Sequence, residues 1–423
     1  MDAPHGPKLD ALTGLRYLAA ISVVVAHVSH FLPPGDLQLA LNGLSAPAMT
    51  VFFTLSGFLM AYNYSAGLRA RFGRTLWSYY VARVARIYPA YAVALLLYFS
   101  FPGNIFQDLK AYPEDTRKTL AYAATLTQSW GHTPVFLADS NPRTVAVGYN
   151  GVSWSVSTEA FFYLVFPLVA LPIARVVTGR GRALAGCAAV YVVYLIAGQV
   201  IYRTTPIEVV LSPGVGMSRY WWKIYLCPYI RFGEFLMGAI VGQYVLATAR
   251  PVPAGRRWWA GAAALASATA VLLVGNARIL SPDLFGAAPT PRWLHVAATN
   301  VLYAPLCLVV IYQLATLPCA ATRVMGCRPM VLLGEMSYCM YLVHTLVMCY
   351  YVPRIGGEFT KEPGWQILYH LTAMVAVLHL TALGLYRYVE VPARTAIRSW
   401  LDPRPAPRPA TIPLAPAPAR RAA

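Results

Sequence analysis

Residues 11–32 read ALTGLRYLAAISVVVAHVSHFL. As a helix this run is about 33 Å long, the thickness of a bilayer's hydrocarbon core. It holds one full charge, Arg16, near one end and two histidines, His27 and His30, near the other. Nine further runs of the same kind follow, at 44–65, 78–100, 154–174, 183–202, 228–249, 258–275, 296–317, 329–352 and 366–387. Each is near the twenty or so apolar residues that a spanning helix needs. The chain therefore reads as an all-α polytopic membrane protein, with about ten transmembrane helices around a central cavity.

Composition agrees. Of the 423 residues 58% are hydrophobic and only 12% are charged, and the mean hydropathy is +0.51. Soluble domains carry about 25% charged residues. A soluble α/β enzyme, a disulfide-stapled domain and a disordered chain are all excluded. Segment 119–137 (TLAYAATLTQSWGHTPVFL) is apolar but short, and His132 and Pro134 interrupt it. It is expected to be re-entrant or interfacial rather than spanning.

The net charge of +18 would suit nucleic acid only if it were spread over a solvent-facing surface. Instead the arginines collect in alternate loops. Arg69, Arg71 and Arg74 fall in one, Arg180 and Arg182 in the next of that parity, then Arg256 and Arg257, then Arg323 and Arg328. Loops of the other parity hold most of the acids, including Asp36, Glu114, Asp283 and Glu358. The positive-inside rule then puts both termini in the cytoplasm of a multi-pass cell-membrane protein, with the lipid bilayer and not nucleic acid as its charged partner.

The first run is expected to stay in the mature chain. It is too long for a signal peptide, and no small-residue cleavage pattern precedes the polar loop. The seven cysteines lie mostly inside spans at no metal-ligand spacing, so no metal site is expected. Residues 401–423 form a Pro/Ala-rich stretch without apolar periodicity, expected to be a disordered cytoplasmic tail after a membrane domain at 1–400.

Polar groups at membrane depth are costly and usually pair or work. His27 follows Arg16 by eleven residues, nearly three turns, so both project from one helical face about 16 Å apart. A snorkelling anchor would account for Arg16 alone; a histidine in the outer half of a span is harder to explain as packing. Glu159 lies about one turn into the fourth span, GVSWSVSTEAFFYLVFP, at a depth counted to match His27. A carboxylate there would hold an imidazole for general-base work, or cap its own helix start. Ser337, Tyr341 and His344 fall at i, i+4 and i+7 of the ninth span, one polar stripe beside Tyr338. Arg83 and Arg86, one turn apart at the head of the third span, are placed either for positive-inside charge or for the phosphates of a cytoplasmic ligand.

Taken in order, LTGLRYLAAISVVVAH (12–27), VFFTLSGFLM (51–60), RVARIYP (83–89), WSVSTEAFFYLVFP (154–167), SYCMYLVH (337–344) and YVEVPAR (388–394) resemble the family-3 integral membrane acyltransferases. Members of that family O-acylate sugars, polysaccharides, lipid-linked glycans and macrolide antibiotics. The second-span motif departs from the family, reading NGLSAPAMTVFF where a glycine followed by Val or Ile and a polar residue is usual. No soluble hydrolase-like domain is expected after the last span, unlike the two-domain polysaccharide modifiers.

The resemblance implies a membrane-bound acyltransferase that moves an acyl group, acetyl above all, from acyl-CoA to a hydroxyl. The acceptor it implies is a glycosylated natural product such as a macrolide, or a sugar, with a cell-envelope polysaccharide or lipid-linked glycan as the alternative. It makes His27 and Glu159 catalytic, and Arg16, Arg83 and Arg86 binders of the donor, acetyl-CoA. Ser337, Tyr338, Tyr341, His344, His30 and Trp154 would then meet the acceptor. A proton-coupled transporter or flippase, in which buried His and Glu form a relay, is the rival class; the spans show no internal duplication to favour it. Gly238 and Gly242 form a small-xxx-small pair that serves a homo-oligomer or packing within one chain equally well.

Overall fold

A computed structural model describes residues 9–33, 35–99, 104–135, 143–204, 219, 222–248, 266–267, 303–317, 319–355 and 364–402. In chain order the helices are α1 (Asp10–Val28), α2 (Asp36–Asn42), α3 (Ser45–Ala70), α4 (Phe72–Phe99), α5 (Asn104–Ala111), α6 (Pro113–Thr125) and α7 (Trp154–Val176). They continue with α8 (Arg180–Thr204), α9 (Pro228–Thr248), α10 (Ala304–Thr316), α11 (Ala320–Met325), α12 (Arg328–Tyr351), α13 (Gly364–Leu385) and α14 (Val391–Leu401). The chain is an all-α polytopic membrane protein: among the described residues eight helical stretches are long and apolar enough to cross a bilayer. Eight of the ten expected spans are thus met, and α10, apolar but shorter, falls on a ninth. The expected seventh span, 258–275, lies almost wholly outside the described residues, as do Lys8, Asp283, Glu358 and residues 403–423.

Lipid tails are as apolar as leucine, so helices in a bilayer associate through close packing and interhelical hydrogen bonds. Glycines supply the closeness here. A Cβ on Gly238 or Gly242 of α9 would collide with the carbonyl of Thr54 or Phe58 on α3, and one on Gly57 with the carbonyl of Phe235. Gly238 and Gly242 therefore serve contact within the chain. Because 54 faces 238 and 58 faces 242, α3 and α9 run parallel, as the second and sixth of the expected spans must. The same device joins α1 to α12, where Gly334 rests on the Thr13 carbonyl, and α1 to α11, where Gly14 rests on that of Met325. The helices α3, α9 and α12 are the most enclosed, whereas α8 and α13 present most of their surface outward as the lipid-facing rim.

Of segment 119–137, residues 119–135 are described, and they form no helix long enough to span. Helix α6 ends at Thr125, Leu126 caps it in the left-handed conformation (φ 57°), and a two-stranded antiparallel ribbon follows, Pro134 opposite Thr144 and Val135 opposite Arg143. The hydroxyls of Tyr88 and Tyr91 on α4 donate to the carbonyls of Ala124 and Ala123 (3.0 and 2.8 Å), clamping the segment to the bundle. Ser129 and Trp130 then bind the head of α7 through the hydroxyl and carbonyl of Ser157.

Candidate active site

The packing of α1 on α12 brings two histidines together. His27 Nδ1 lies 3.0 Å from His344 Nε2, and the ring centroids are 5.0 Å apart. His344 is fully buried, and its Nδ1 lies 2.6 Å from the carbonyl oxygen of Tyr341 on its own helix. His30, one turn beyond His27, is exposed and turns its Nδ1 back to the His27 carbonyl (3.2 Å).

Below this pair is a cavity whose polar lining is Arg16, Ser56, Ser155, Glu159, Ser337 and Tyr338. Met49, Phe52, Phe53 and Val156 supply its apolar wall. Tyr341 lines it too, with its ring 5.5 Å from that of His344. The phenol is fixed from both sides: Ser155 Oγ donates to it (2.7 Å) and it donates to the Val152 carbonyl (2.9 Å). Tyr338 donates to the Ile87 carbonyl (2.9 Å), tying α12 to α4. Trp154 stands behind the apolar wall, edge-on to Phe53.

Glu159 does not join His27. One of its carboxylate oxygens accepts from Ser56 Oγ (2.9 Å) and from the Tyr163 hydroxyl (2.5 Å). It shares its cavity with Arg16, nearly three turns below His27 on α1. Counting residues from the loop put Glu159 level with His27, but α7 starts beneath the segment clamped over it, so its first turns already lie deeper in the bundle. The place expected for the carboxylate is taken by His344.

The two arginines of α4 have different surroundings. Arg83 donates to the Tyr64 hydroxyl (3.1 Å) and lies over the rings of Tyr64 and Tyr163. Among the described residues no carboxylate is within ion-pairing distance of it. Arg86 forms an ion pair with Glu390, a fully buried carboxylate that Arg394 also reaches (3.4 Å).

A second buried pair, Arg231 and Glu234 on α9, has no counterpart in the sequence reading. The two lie 3.1 Å apart and are fully buried. Thr50 donates to Glu234 (2.8 Å), and the guanidinium sits over Tyr225, Phe53 and Trp154. Opposite charges three residues apart in PYIRFGEF (228–235) were the signal that could have found it. Arg231 Nε and Nη1 are answered by the Tyr225 carbonyl and Glu234 while Nη2 is buried without a hydrogen-bond partner, and the pair reads as a structural brace behind the cavity.

The cavity thus offers a cation, a carboxylate and hydroxyls beside an apolar wall, with a hydrogen-bonded imidazole pair above it. That suits a reaction in which a proton leaves one group as negative charge develops on another. A family model for the acyltransferase domain, family 3, matches residues 9–385. Acyltransferase MdmB of Streptomyces mycarofaciens is 29% identical over 427 residues, covering 96% of this chain and 97% of that protein. Nodulation protein 10 of Rhizobium leguminosarum bv. viciae is 30% identical over 172 residues, 37% of this chain and 42% of that one. No solved structure matches.

Proposed function

The chain belongs to the family-3 acyltransferases, and from that premise we propose that it carries an acyl group, acetyl above all, from acyl-CoA to an acceptor hydroxyl, with His27 as the general base. The observation that carries the reading is the His27–His344 hydrogen bond, next to Tyr341, which lines the cavity holding Arg16 and Glu159. CoA is multiply charged and cannot cross lipid, so its pantetheine arm enters from the cytoplasmic side, where the arginines lie. His27 removes the acceptor's hydroxyl proton as the oxygen attacks the thioester carbonyl. Arg16, nearly three turns below His27 on α1, meets the polar arm of the donor on its way to that base. The tetrahedral species then expels the CoA thiolate, which takes the proton back from His27.

As acceptor we propose a hydroxyl of a glycosylated natural product such as a macrolide; similarity to Acyltransferase MdmB over 96% of this chain supports the acyl transfer itself. The test is to incubate detergent-purified enzyme with labelled acetyl-CoA and a panel of macrolides, sugars and envelope glycans. Label should appear in a macrolide with wild type and not with His27→Ala. Transfer to envelope glycans alone would replace the acceptor, and failure with every donor and acceptor would remove the acyl-CoA reading.

A further inference from the structure

Resting on the reading of His27 as the base, we propose that His344 is its positioning residue, fixing the tautomer of His27 through a proton order that starts at the Tyr341 backbone carbonyl. A carbonyl oxygen only accepts, so His344 Nδ1, 2.6 Å from the Tyr341 oxygen, carries a hydrogen and donates it. In the neutral ring the other nitrogen, Nε2, is then a lone pair. That lone pair faces His27 Nδ1 at 3.0 Å, so Nδ1 of His27 is the protonated nitrogen. By exclusion the lone pair of His27 is on Nε2, the nitrogen turned away from His344. The Tyr341 carbonyl thus acts, through two rings, on which nitrogen of His27 is basic, alongside the backbone of Val23 one turn earlier on α1, to which His27 also hydrogen-bonds.

The surroundings keep this order in place. His344 is fully buried whereas His27 is partly exposed, so only His27 can meet a substrate. The Tyr341 side chain is held by Ser155 and Val152, and Asn150 Nδ2 donates to the Leu342 carbonyl (3.3 Å). The turn carrying the Tyr341 carbonyl is thus braced from α7 and the loop before it. His30 faces its own backbone and Glu159 is held by Ser56 and Tyr163, so neither competes for His27 Nδ1.

During transfer the acceptor's O–H proton moves to His27 Nε2 as the new C–O bond forms. The imidazolium keeps its Nδ1–H pointed at the His344 lone pair, which stabilises the charge without taking the proton. When the C–S bond breaks, the sulfur receives the proton from Nε2 and both histidines are again neutral.

Three replacements of His344 separate this from packing. Glutamine places an amide oxygen where Nε2 was and can still accept from His27. Asparagine keeps only the position of Nδ1, and phenylalanine keeps only shape. The expected result is a kcat within about tenfold of wild type for His344→Gln, and a loss of roughly 10²–10⁴-fold for His344→Asn and His344→Phe. The KM for acetyl-CoA should be nearly constant across the three. Melting temperature in detergent is measured alongside, and the Gln–Asn comparison decides the matter even if the Phe variant does not fold. Equal activity of the Gln and Asn variants, or a wild-type kcat in the Phe variant, overturns the role of His344. Substantial turnover by His27→Ala instead overturns the assignment of the base on which this rests.

Discussion

Arg86 on α4 and Glu390 at the junction of α13 and α14 form an ion pair inside the protein. Arg394, one turn further on, reaches the same carboxylate, and Cys339 of α12 donates to its second oxygen (3.2 Å). Three parts of the chain far apart in sequence converge on one acid. Trp77 at the other end of this contact donates to the Leu401 carbonyl (3.0 Å), so α14 lies pinned along the head of α4.

Removing Glu390 strands the Arg86 charge, which costs about 3–5 kcal/mol, and removing Arg86 leaves Glu390 only its longer contact with Arg394. Glu390→Gln and Arg86→Ala should each lower the melting temperature of the detergent-purified protein markedly. The double variant Arg86→Met/Glu390→Leu should lose less than the two singles together, because neither charge is left alone. Strict additivity would show that the two do not meet.

Arg83 is the arginine left for the donor. Its hydrogen-bond partner is a neutral phenol and its neighbours are aromatic rings, so an arriving phosphate displaces no carboxylate. A charge-assisted contact is worth roughly 1.5–3 kcal/mol. Arg83→Ala should raise the KM for acyl-CoA by one to two decades while acceptor KM and melting temperature move little. An unchanged donor KM would return Arg83 to topology-setting charge.

How much of this could be read from the chain alone differs from feature to feature. The spanning helices were legible because twenty apolar residues have few other destinations, and His27 and His344 were legible as polar groups where polarity is costly. Their pairing was not. Periodicity places a residue on a helical face but leaves depth to be counted from a loop, and the clamped segment over α7 moved Glu159 away from the level so counted. Arg231 and Glu234 were hidden inside an apolar average, and Glu390 was visible only as a letter in YVEVPAR, since its partners come from α4, α12 and α14. Contacts between helices depend on which faces meet, and the glycines that decide this, Gly238 and Gly334, look like any others in a span.

Those glycines carry a prediction of their own. Gly238 lies so close to the Thr54 carbonyl that a single carbon has no room, and the obstacle is backbone, which cannot rotate away. Gly238→Val should abolish monodisperse protein in size-exclusion chromatography, while Gly364→Ala, where a Cβ meets open space, should behave as wild type. Well-folded Gly238→Val would mean that α3 and α9 do not pack as described.

Sidedness is tested with cysteines. If charge sets the topology, the native exposed Cys327 faces the cytoplasm beside Arg323 and Arg328, and Glu114 at the start of α6 faces outside. In a background lacking the other cysteines, an impermeant maleimide added to intact cells should label Glu114→Cys and leave Cys327 unlabelled until the cells are opened. The reverse pattern would invert the protein.

Glu159 gives the sharpest separation between the expected and the observed partners. As the partner of His27 it would stabilise an imidazolium, and Glu159→Gln would cut kcat by roughly two to four decades. In the structure its carboxylate instead accepts from Ser56 and Tyr163, and the Tyr163 ring lies against the Arg83 guanidinium. Glu159 therefore orders the wall of the cavity on the arginine side. Glu159→Gln retains an acceptor for both hydroxyls and loses only the charge, so its main effect should fall on the acyl-CoA KM, with kcat within about tenfold of wild type. Tyr163→Phe, which breaks the link but keeps the ring, should move the same constant in the same direction. The double variant should be scarcely worse than the worse single, since residues that act through one another are not additive. A hundredfold fall in kcat at unchanged donor KM would restore Glu159 to His27 and require the two helices to approach during the reaction.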